Sequence, residues 1–297
     1  MDKTDMVLCQ LLMSNSRMSY RELANKLNLS VTAVHSRIWS LVEQDVIRRF
    51  STRVSLRVLK ALVVMVFGLS KLASVQELRR MLGEQGSVYW LGVGGGGFLY
   101  VGAFLQSIAE LEELVGFLRD KAGLLEPAVG IVSHYPTGDA GLVEGKLSEL
   151  DCSIIRSLRD NSRKALSDVA EELGVSTKTV RRRLSRMMQQ GLVDMSIDWY
   201  PDASNDIIAV LHLSLKTGVD RNSVESVLRK YWPNVFTSWI FSNIPGLMLA
   251  FAWSNTMKEL KEICERLEEE GFFNSISPNV LYTGFVFETW VDRIVEK

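Results

Sequence analysis

DMVLCQLLMSNSRMSYRELANKLNLSVTAVHSRIWSLVEQDVI (5–47) and DCSIIRSLRDNSRKALSDVAEELGVSTKTVRRRLSRMMQQGLV (151–193) decide the reading of this chain. They align without a gap at a spacing of 146 residues, with identities at Asp5/Asp151, Leu12/Leu158, Asn15/Asn161, Ser16/Ser162 and Arg17/Arg163. Further on the identities are Ala24/Ala170, Leu27/Leu173, Ser30/Ser176, Val34/Val180, Arg37/Arg183 and Gln44/Gln190. Apolar positions that differ still exchange for apolar ones, as in Leu23/Val169 and Ile38/Leu184. Such regularity implies a duplication. Within 5–47 the pattern predicts three short amphipathic helices, marked by Leu8, Leu11 and Leu12, by Leu23, Ala24 and Leu27, and by Val34, Ile38 and Leu41. Ser19 with Glu22 is a capping box for the second helix, and a tight break at Asn28 precedes the third, which starts at Ser30. This is the helix-turn-helix layout, whose third helix enters the major groove of DNA.

The outward residues of that third helix are therefore the candidate base and phosphate contacts. In the first copy these are Ser30, Thr32, His35, Ser36 and Arg37. In the second they are Ser176, Thr177, Lys178, Thr179, Arg181, Arg182, Arg183 and Arg186, with no acid from Ser176 to Arg186. Arginine there can meet phosphates and guanine edges. Taken alone, a run of three arginines is more often a solvated helix face; its place on a duplicated recognition helix favours DNA. Arg163 is expected near the DNA backbone. IRRFSTRVSLRVL (47–59) puts Arg48, Arg49, Arg53 and Arg57 on an expected β-wing, whereas the matching VDMSIDWYPDAS is acidic. The two units are thus expected to contact DNA unequally.

Each helix-turn-helix unit is followed by strand, helix, strand, strand, helix, strand. The first series has strands at 61–69, 87–92, 98–104 and 128–135. The second has strands at 207–215, 235–241, 247–253 and 279–287. Ser74/Glu77, Ser107/Glu110 and Thr256/Glu259 read as capping boxes at helix starts, with Asn222/Glu225 a looser one. A βαββαβ order gives a four-stranded antiparallel sheet with both helices on one face. The other face needs a cover, which the second copy or a second chain supplies. The expected class is α+β: winged helix-turn-helix domains at 1–58 and 148–200 alternate with ferredoxin-like βαββαβ domains at 59–137 and 201–297, and 138–147 joins the halves.

Bulk properties narrow the function. A chain of 297 residues, 47% hydrophobic and 23% charged, suits several small globular domains. The net charge of −1 conceals a split: residues 1–60 hold 10 Lys/Arg against 5 Asp/Glu. Cys9, Cys152 and Cys264 are scattered without ligand spacing, so a zinc site or disulfide framework is not expected and a reducing cytoplasm is. No signal peptide is read at the start. The uncharged stretches 85–109 and 235–257 are broken by GVGGGG and SNIPG, which favours paired strands over membrane spans. Gly92, Gly94 and Gly97 match GxGxxG, but a strand follows where a dinucleotide site needs a helix. His35, His134 and His212 are dispersed, and no nucleophilic triad or paired catalytic carboxylate stands out.

LxxLxxNSRxSxxELAxxLxLSxxxVxxRIxxLxxxxVI in 8–47, and more closely residues 154–193, resemble the Lrp/AsnC (feast/famine) transcription regulators. The resemblance implies that the βαββαβ modules are that family's effector and oligomerisation (RAM) domains, and that a tandem chain imitates the family's dimer. The hairpins that carry a Gly–acidic pattern in the family read GVGGGGFLY and SNIPGLML here, without an acid. The expectation is a regulator, not an enzyme, that binds double-stranded DNA and pairs as a homodimer. It has no cofactor, and a small-molecule effector of open identity is admitted. Two alternatives stand beside it. One is a sirohaem-decarboxylase-like tetrapyrrole enzyme on the same scaffold, which would need clustered His and Arg. The other is a sensing or interaction module that has lost DNA binding.

Overall fold

The computed structural model describes residues 1–71, 74–133 and 145–296, except the Asp202 side chain. His134 and most of the joining segment 138–147 lie outside the described residues. The first copy opens with α1 (Lys3–Ser14), α2 (Tyr20–Leu27), α3 (Val31–Glu43), β1 (Ile47–Val54) and α4 (Leu56–Leu59). It continues with β2 (Leu62–Ser70), α5 (Val75–Gly83), β3 (Val88–Gly94), β4 (Phe98–Leu105), α6 (Ala109–Asp120) and β5 (Leu124–Ile131). The second copy opens with α7 (Glu149–Leu158), α8 (Leu166–Glu172), α9 (Thr177–Gln189) and β6 (Val193–Trp199). Next come β7 (Ile207–Leu215), α10 (Arg221–Lys230), β8 (Val235–Ile240), β9 (Leu247–Ser254), α11 (Met257–Glu269), β10 (Phe273–Val286) and α12 (Trp290–Arg293).

These elements form two compact units, and each unit pairs like with like from the two copies. One holds the described residues within Val7–Ala61, Gly141–Tyr200 and Glu288–Lys297. Its helices begin where the sequence places caps: Ser19 and Glu22 form a complete capping box, and Ser30 and Ser176 cap α3 and α9. The turn between the second and third helices uses a left-handed residue in both copies, Asn28 (φ 54) and Gly174 (φ 63). β1 and β6 pair antiparallel, with Phe50 opposite Ile197. Each expected wing strand therefore takes its partner from the other copy. Below this ribbon Val54, Ile154, Leu158, Val180, Leu184 and Met187 share one core.

The other unit comprises the described residues within Met1–Met6, Leu62–Ala140 and Pro201–Phe287. Its eight strands run β5-β2-β4-β3-β10-β7-β9-β8. Each half has the expected ferredoxin-like order, and β3 pairs antiparallel with β10 across the halves. The outer strands also meet at a bridge between Val132 and Phe241, so the sheet curls back on itself. Alternate residues of each strand face opposite sides. Val64, Val66, Leu99 and Val101 pack on α5 and α6, while Leu211, Leu213, Met248 and Ala250 pack on α10 and α11. The intervening residues line an interior between the halves, where Trp90 meets Trp239 (ring centroids 5.9 Å) and Phe67 meets Phe241 (6.1 Å). The second copy thus supplies the cover for the sheet's free face.

Three local expectations are corrected. β10 begins at Phe273, six residues early, because it must pair first with β7 and then with β3. α6 starts with Ile108 as its cap, and the Glu110 carboxylate accepts from the Gln106 N–H, so Ser107 and Glu110 form no box. α10 starts at Arg221, with its cap two residues before the expected Asn222: the Asp220 carboxylate accepts from the Ser223 N–H. Close approach across the interior also fixes one glycine. A Cβ on Gly130 would overlap the Phe241 ring. Gly130→Ala is expected to cost about 1–3 kcal/mol through overpacking, read as a lower thermal midpoint; an unchanged midpoint would show that Phe241 moves freely.

Candidate nucleic-acid interface

The core residues of α9, Val180, Leu184 and Met187, turn its opposite face outward. Lys178, Arg181, Arg182 and Ser185 are exposed on that face. Among the described residues no carboxylate pairs with Lys178, Arg181 or Arg182. Arg183 and Arg186 point the other way. Arg183 reaches Asp151 Oδ1 (3.2 Å) and the Ser148 hydroxyl (2.9 Å), and Arg186 reaches Asp151 Oδ2 (2.6 Å). Asp151 is fully buried at the start of α7. Burial alone would raise its carboxyl, but the Ser148 N–H and hydroxyl and the two guanidinium groups outweigh that and hold it below the usual carboxylate range. Ser176 spends its hydroxyl on the Thr179 N–H and faces Thr179 Oγ1 at 2.9 Å. Thr177 and Thr179 are half-buried.

The corresponding face of α3 is nearly uncharged. Thr32, His35 and Ser36 are exposed, Arg37 is half-buried, and Ser30 is occupied as the cap. His35 lies 5.3 Å from the Tyr20 ring. Trp39, which the sequence pattern did not single out, is 60% exposed where the second copy has Ser185.

The remaining basic candidates are corrected by their contacts. Arg163 donates to the Ser16 and Met18 carbonyls (2.7 and 3.1 Å) and lies over the Tyr20 ring at 4.7 Å. Arg17 returns the contact to the Ser162 and Lys164 carbonyls, and the two serine hydroxyls meet at 2.6 Å. Arg163, expected near the DNA backbone, therefore has its guanidinium engaged in fastening the two copies together. The wing positions change in the same way. Arg49 is bound to Asp198 (2.7 Å), Asp160 (2.9 Å) and Glu288 (3.3 Å). Burial weakens its charge, but the Asp198 and Asp160 carboxylates prevail and hold its pKa above the ordinary value. Arg53 faces Asp198 at 4.0 Å, and Arg48 is exposed with its guanidinium 3.7 Å above the Tyr200 ring. Asp198 of the second-copy strand thus engages Arg49 and Arg53 of the first-copy strand, while Arg48 keeps its exposed place over Tyr200. Arg163→Ala is expected to cost about 1–3 kcal/mol of stability while leaving the salt dependence of DNA binding unchanged; a shallower salt slope would return Arg163 to the DNA surface.

Away from this surface, Tyr100 on β4 and His212 on β7 meet across the interior of the sheet unit, hydroxyl to Nε2, at 2.6 Å. In sequence His212 looks like an ordinary strand histidine, since the pairing joins residues 112 positions apart. Among the described residues no group of three His, Cys, Asp or Glu side chains is arranged to hold a metal ion. None of their helices is long and apolar enough to cross a membrane.

Residues 1–41 match the AsnC-type helix-turn-helix domain, and residues 147–194 match a winged helix-turn-helix DNA-binding domain. The HTH-type transcriptional regulator Ptr1 of Methanocaldococcus jannaschii is 32% identical over 87 residues, 28% of this chain and 55% of that protein. An uncharacterised HTH-type transcriptional regulator of Pyrococcus furiosus is 30% identical over 82 residues, again 55% of its length. The chain thus spans about half the length of these relatives. Among solved structures, the siroheme decarboxylase NirDL matches with a TM-score of 0.62 at 14% identity, covering 99% of this chain and 97% of that one. Its complex with an iron-uroporphyrin III analogue matches at 0.59 and 13% identity. That likeness shows a shared whole-chain fold. It overturns the expectation that the chain is not an enzyme, because the same four-module arrangement serves one. Helix-turn-helix domains are matched in both copies, the first of the AsnC type, and each is followed by a ferredoxin-like module, so the chain is a tandem duplication of that two-module arrangement.

Proposed function

We propose that this chain is a sequence-specific DNA-binding transcription regulator that reads its site chiefly with α9. One observation carries the reading: Lys178, Arg181 and Arg182 are exposed together on the recognition helix of the second copy, while the other basic candidates are mostly engaged within the protein. Such a face suits a phosphate-lined major groove. The first copy adds Thr32, His35 and Ser36 on α3 and Arg48 beside it, so the half-sites are unequal. In this reading modules 1–58, 59–137, 148–200 and 201–297 act as one cytoplasmic pseudo-dimer, which pairs again as a homodimer through the sheet modules. Selection from random duplexes, followed by salt titration, tests it. The expected result is one enriched sequence whose affinity falls steeply with salt; no enrichment over random DNA sinks the reading.

A second reading, an enzyme on the same scaffold, is favoured by the Tyr100–His212 pair, a polar contact of the kind that positions a proton. The neighbouring fold raises a tetrapyrrole for that role. The eight strands contain no Lys or Arg, so they offer no cation to the carboxylates of such a macrocycle. The strands therefore do not fit it, and no step is assigned through it.

A further inference from the structure

The two recognition helices are held as a symmetric pair. In the β1–β6 ribbon Phe50 lies opposite Ile197 and Ser51 opposite Ser196, and the 146-residue repeat carries each of these pairs into the other. The contacts beside the ribbon are reciprocal in the same way. Arg17 reaches the Ser162 and Lys164 carbonyls, Arg163 reaches those of Ser16 and Met18, and the Ser16 and Ser162 hydroxyls meet. An internal two-fold axis therefore relates α3 to α9, as in a helix-turn-helix dimer on two inverted half-sites.

That axis joins unlike faces. At five equivalent outward positions α3 has Val31, Thr32, His35, Ser36 and Trp39 where α9 has Thr177, Lys178, Arg181, Arg182 and Ser185. All five residues of α3 are exposed, and Val31 keeps 47% of its surface in solvent. Arg37, the one Lys, Arg, Asp or Glu of α3 before Glu43, is half-buried at the place where Arg183 reaches Asp151. Val31 and Trp39 stand about 12 Å apart along the helix, a length of roughly three to four base pairs. Exposed apolar side chains gain by covering an apolar group. The major-groove edge of DNA carries one such group, the C5-methyl of thymine, which threonine methyls also meet. Guanine presents two acceptors there, which suit the guanidinium groups of α9.

We propose that α3 reads thymine methyls while α9 reads guanine, so that each chain binds one thymine-bearing and one guanine-bearing half-site in inverted orientation. Val31, Thr32 and Trp39 set the thymine half. The proposal rests on the DNA-reading function and adds the base chemistry of each half. Duplexes selected from random sequence by the full chain are assayed again with deoxyuridine for thymine in one half at a time, which removes the methyl and keeps the pairing. Wild-type affinity is expected to fall at least tenfold when the half under α3 is changed, and less than twofold for the other half. Val31→Thr/Trp39→Ser installs the second-copy residues at exposed positions. It is expected to keep the wild-type thermal midpoint and to bind thymine and deoxyuridine duplexes equally. Thr32→Lys/His35→Arg/Ser36→Arg is expected to select guanine in both halves, and the half that changes is the one under α3. Guanine in both halves of the wild-type site, no response to deoxyuridine in either half, or an undiminished response in Val31→Thr/Trp39→Ser overturns the proposal and leaves DNA reading by α9 standing. Selection that enriches no sequence sinks DNA reading itself, and this proposal with it.

Discussion

Arg181→Ala/Arg182→Ala is expected to lower affinity for the selected duplex at least a hundredfold while leaving thermal stability unchanged. Both side chains are exposed on α9, and among the described residues neither is ion-paired, so their removal breaks nothing within the protein. Removing an arginine that pairs with a base edge costs about 1–3 kcal/mol, and two such changes at the middle of that range multiply to several hundredfold or more. The salt dependence separates the roles. A guanidinium on phosphate contributes about 0.9 to the slope of log affinity against log salt. A slope shallower by nearly two would place both arginines on the backbone. An unchanged slope with weakened discrimination would place them on base edges. Retained affinity and slope would remove α9 from the interface. The equivalent first-copy change, His35→Ala/Ser36→Ala, is expected to have a much smaller effect, because α3 presents no free charge at those positions.

The fold was legible because its signals are local and doubled. Apolar spacing, the serines that cap α2, α3 and α9, and the left-handed break at Asn28 each specify a helix boundary within a few residues. Seeing them twice, 146 residues apart, excluded chance. The site was legible only as a set of basic residues, since local pattern cannot say which arginine finds a carboxylate. Arg49, Arg163, Arg183 and Arg186 look as available in sequence as Arg181 and Arg182. Their partners Asp198, Ser16 and Asp151 come from other elements, and for Arg49 and Arg163 from the other copy. The Tyr100–His212 contact was hidden for the same reason. Alternation places His212 on the inner face of β7, but only the pairing of the two halves shows that a hydroxyl faces it there.

Asp151→Asn is the change expected to move DNA binding in the opposite direction. In the wild type one buried carboxylate holds Arg183 and Arg186, two of the five basic side chains of α9. It thereby fixes the helix against α7 and withholds those charges from phosphate. The first copy keeps Asp5 and Arg37 but has Ser40 in place of Arg186, so this double tether belongs to α9 alone. Asparagine releases both guanidinium groups, each already part-exposed and one helical turn apart. Affinity for random duplex is expected to rise, and the salt slope to steepen by up to about 0.9 for each arginine that reaches a phosphate. The ratio of specific to non-specific affinity is expected to fall. Stability is expected to drop by about 1–3 kcal/mol as the arginines lose a charged partner. The pH dependence has a definite sign. A carboxyl held below its unfolded pKa stabilises the fold above that value, and the gain is lost as pH falls through the folded pKa. The wild type is therefore expected to lose stability below the usual carboxylate range, and the variant to lack that part of the loss. Asp168→Asn, an exposed change of equal charge on α8, is the control. If it alters slope and discrimination as much as Asp151→Asn does, net charge alone accounts for the effect and the tether does not govern specificity.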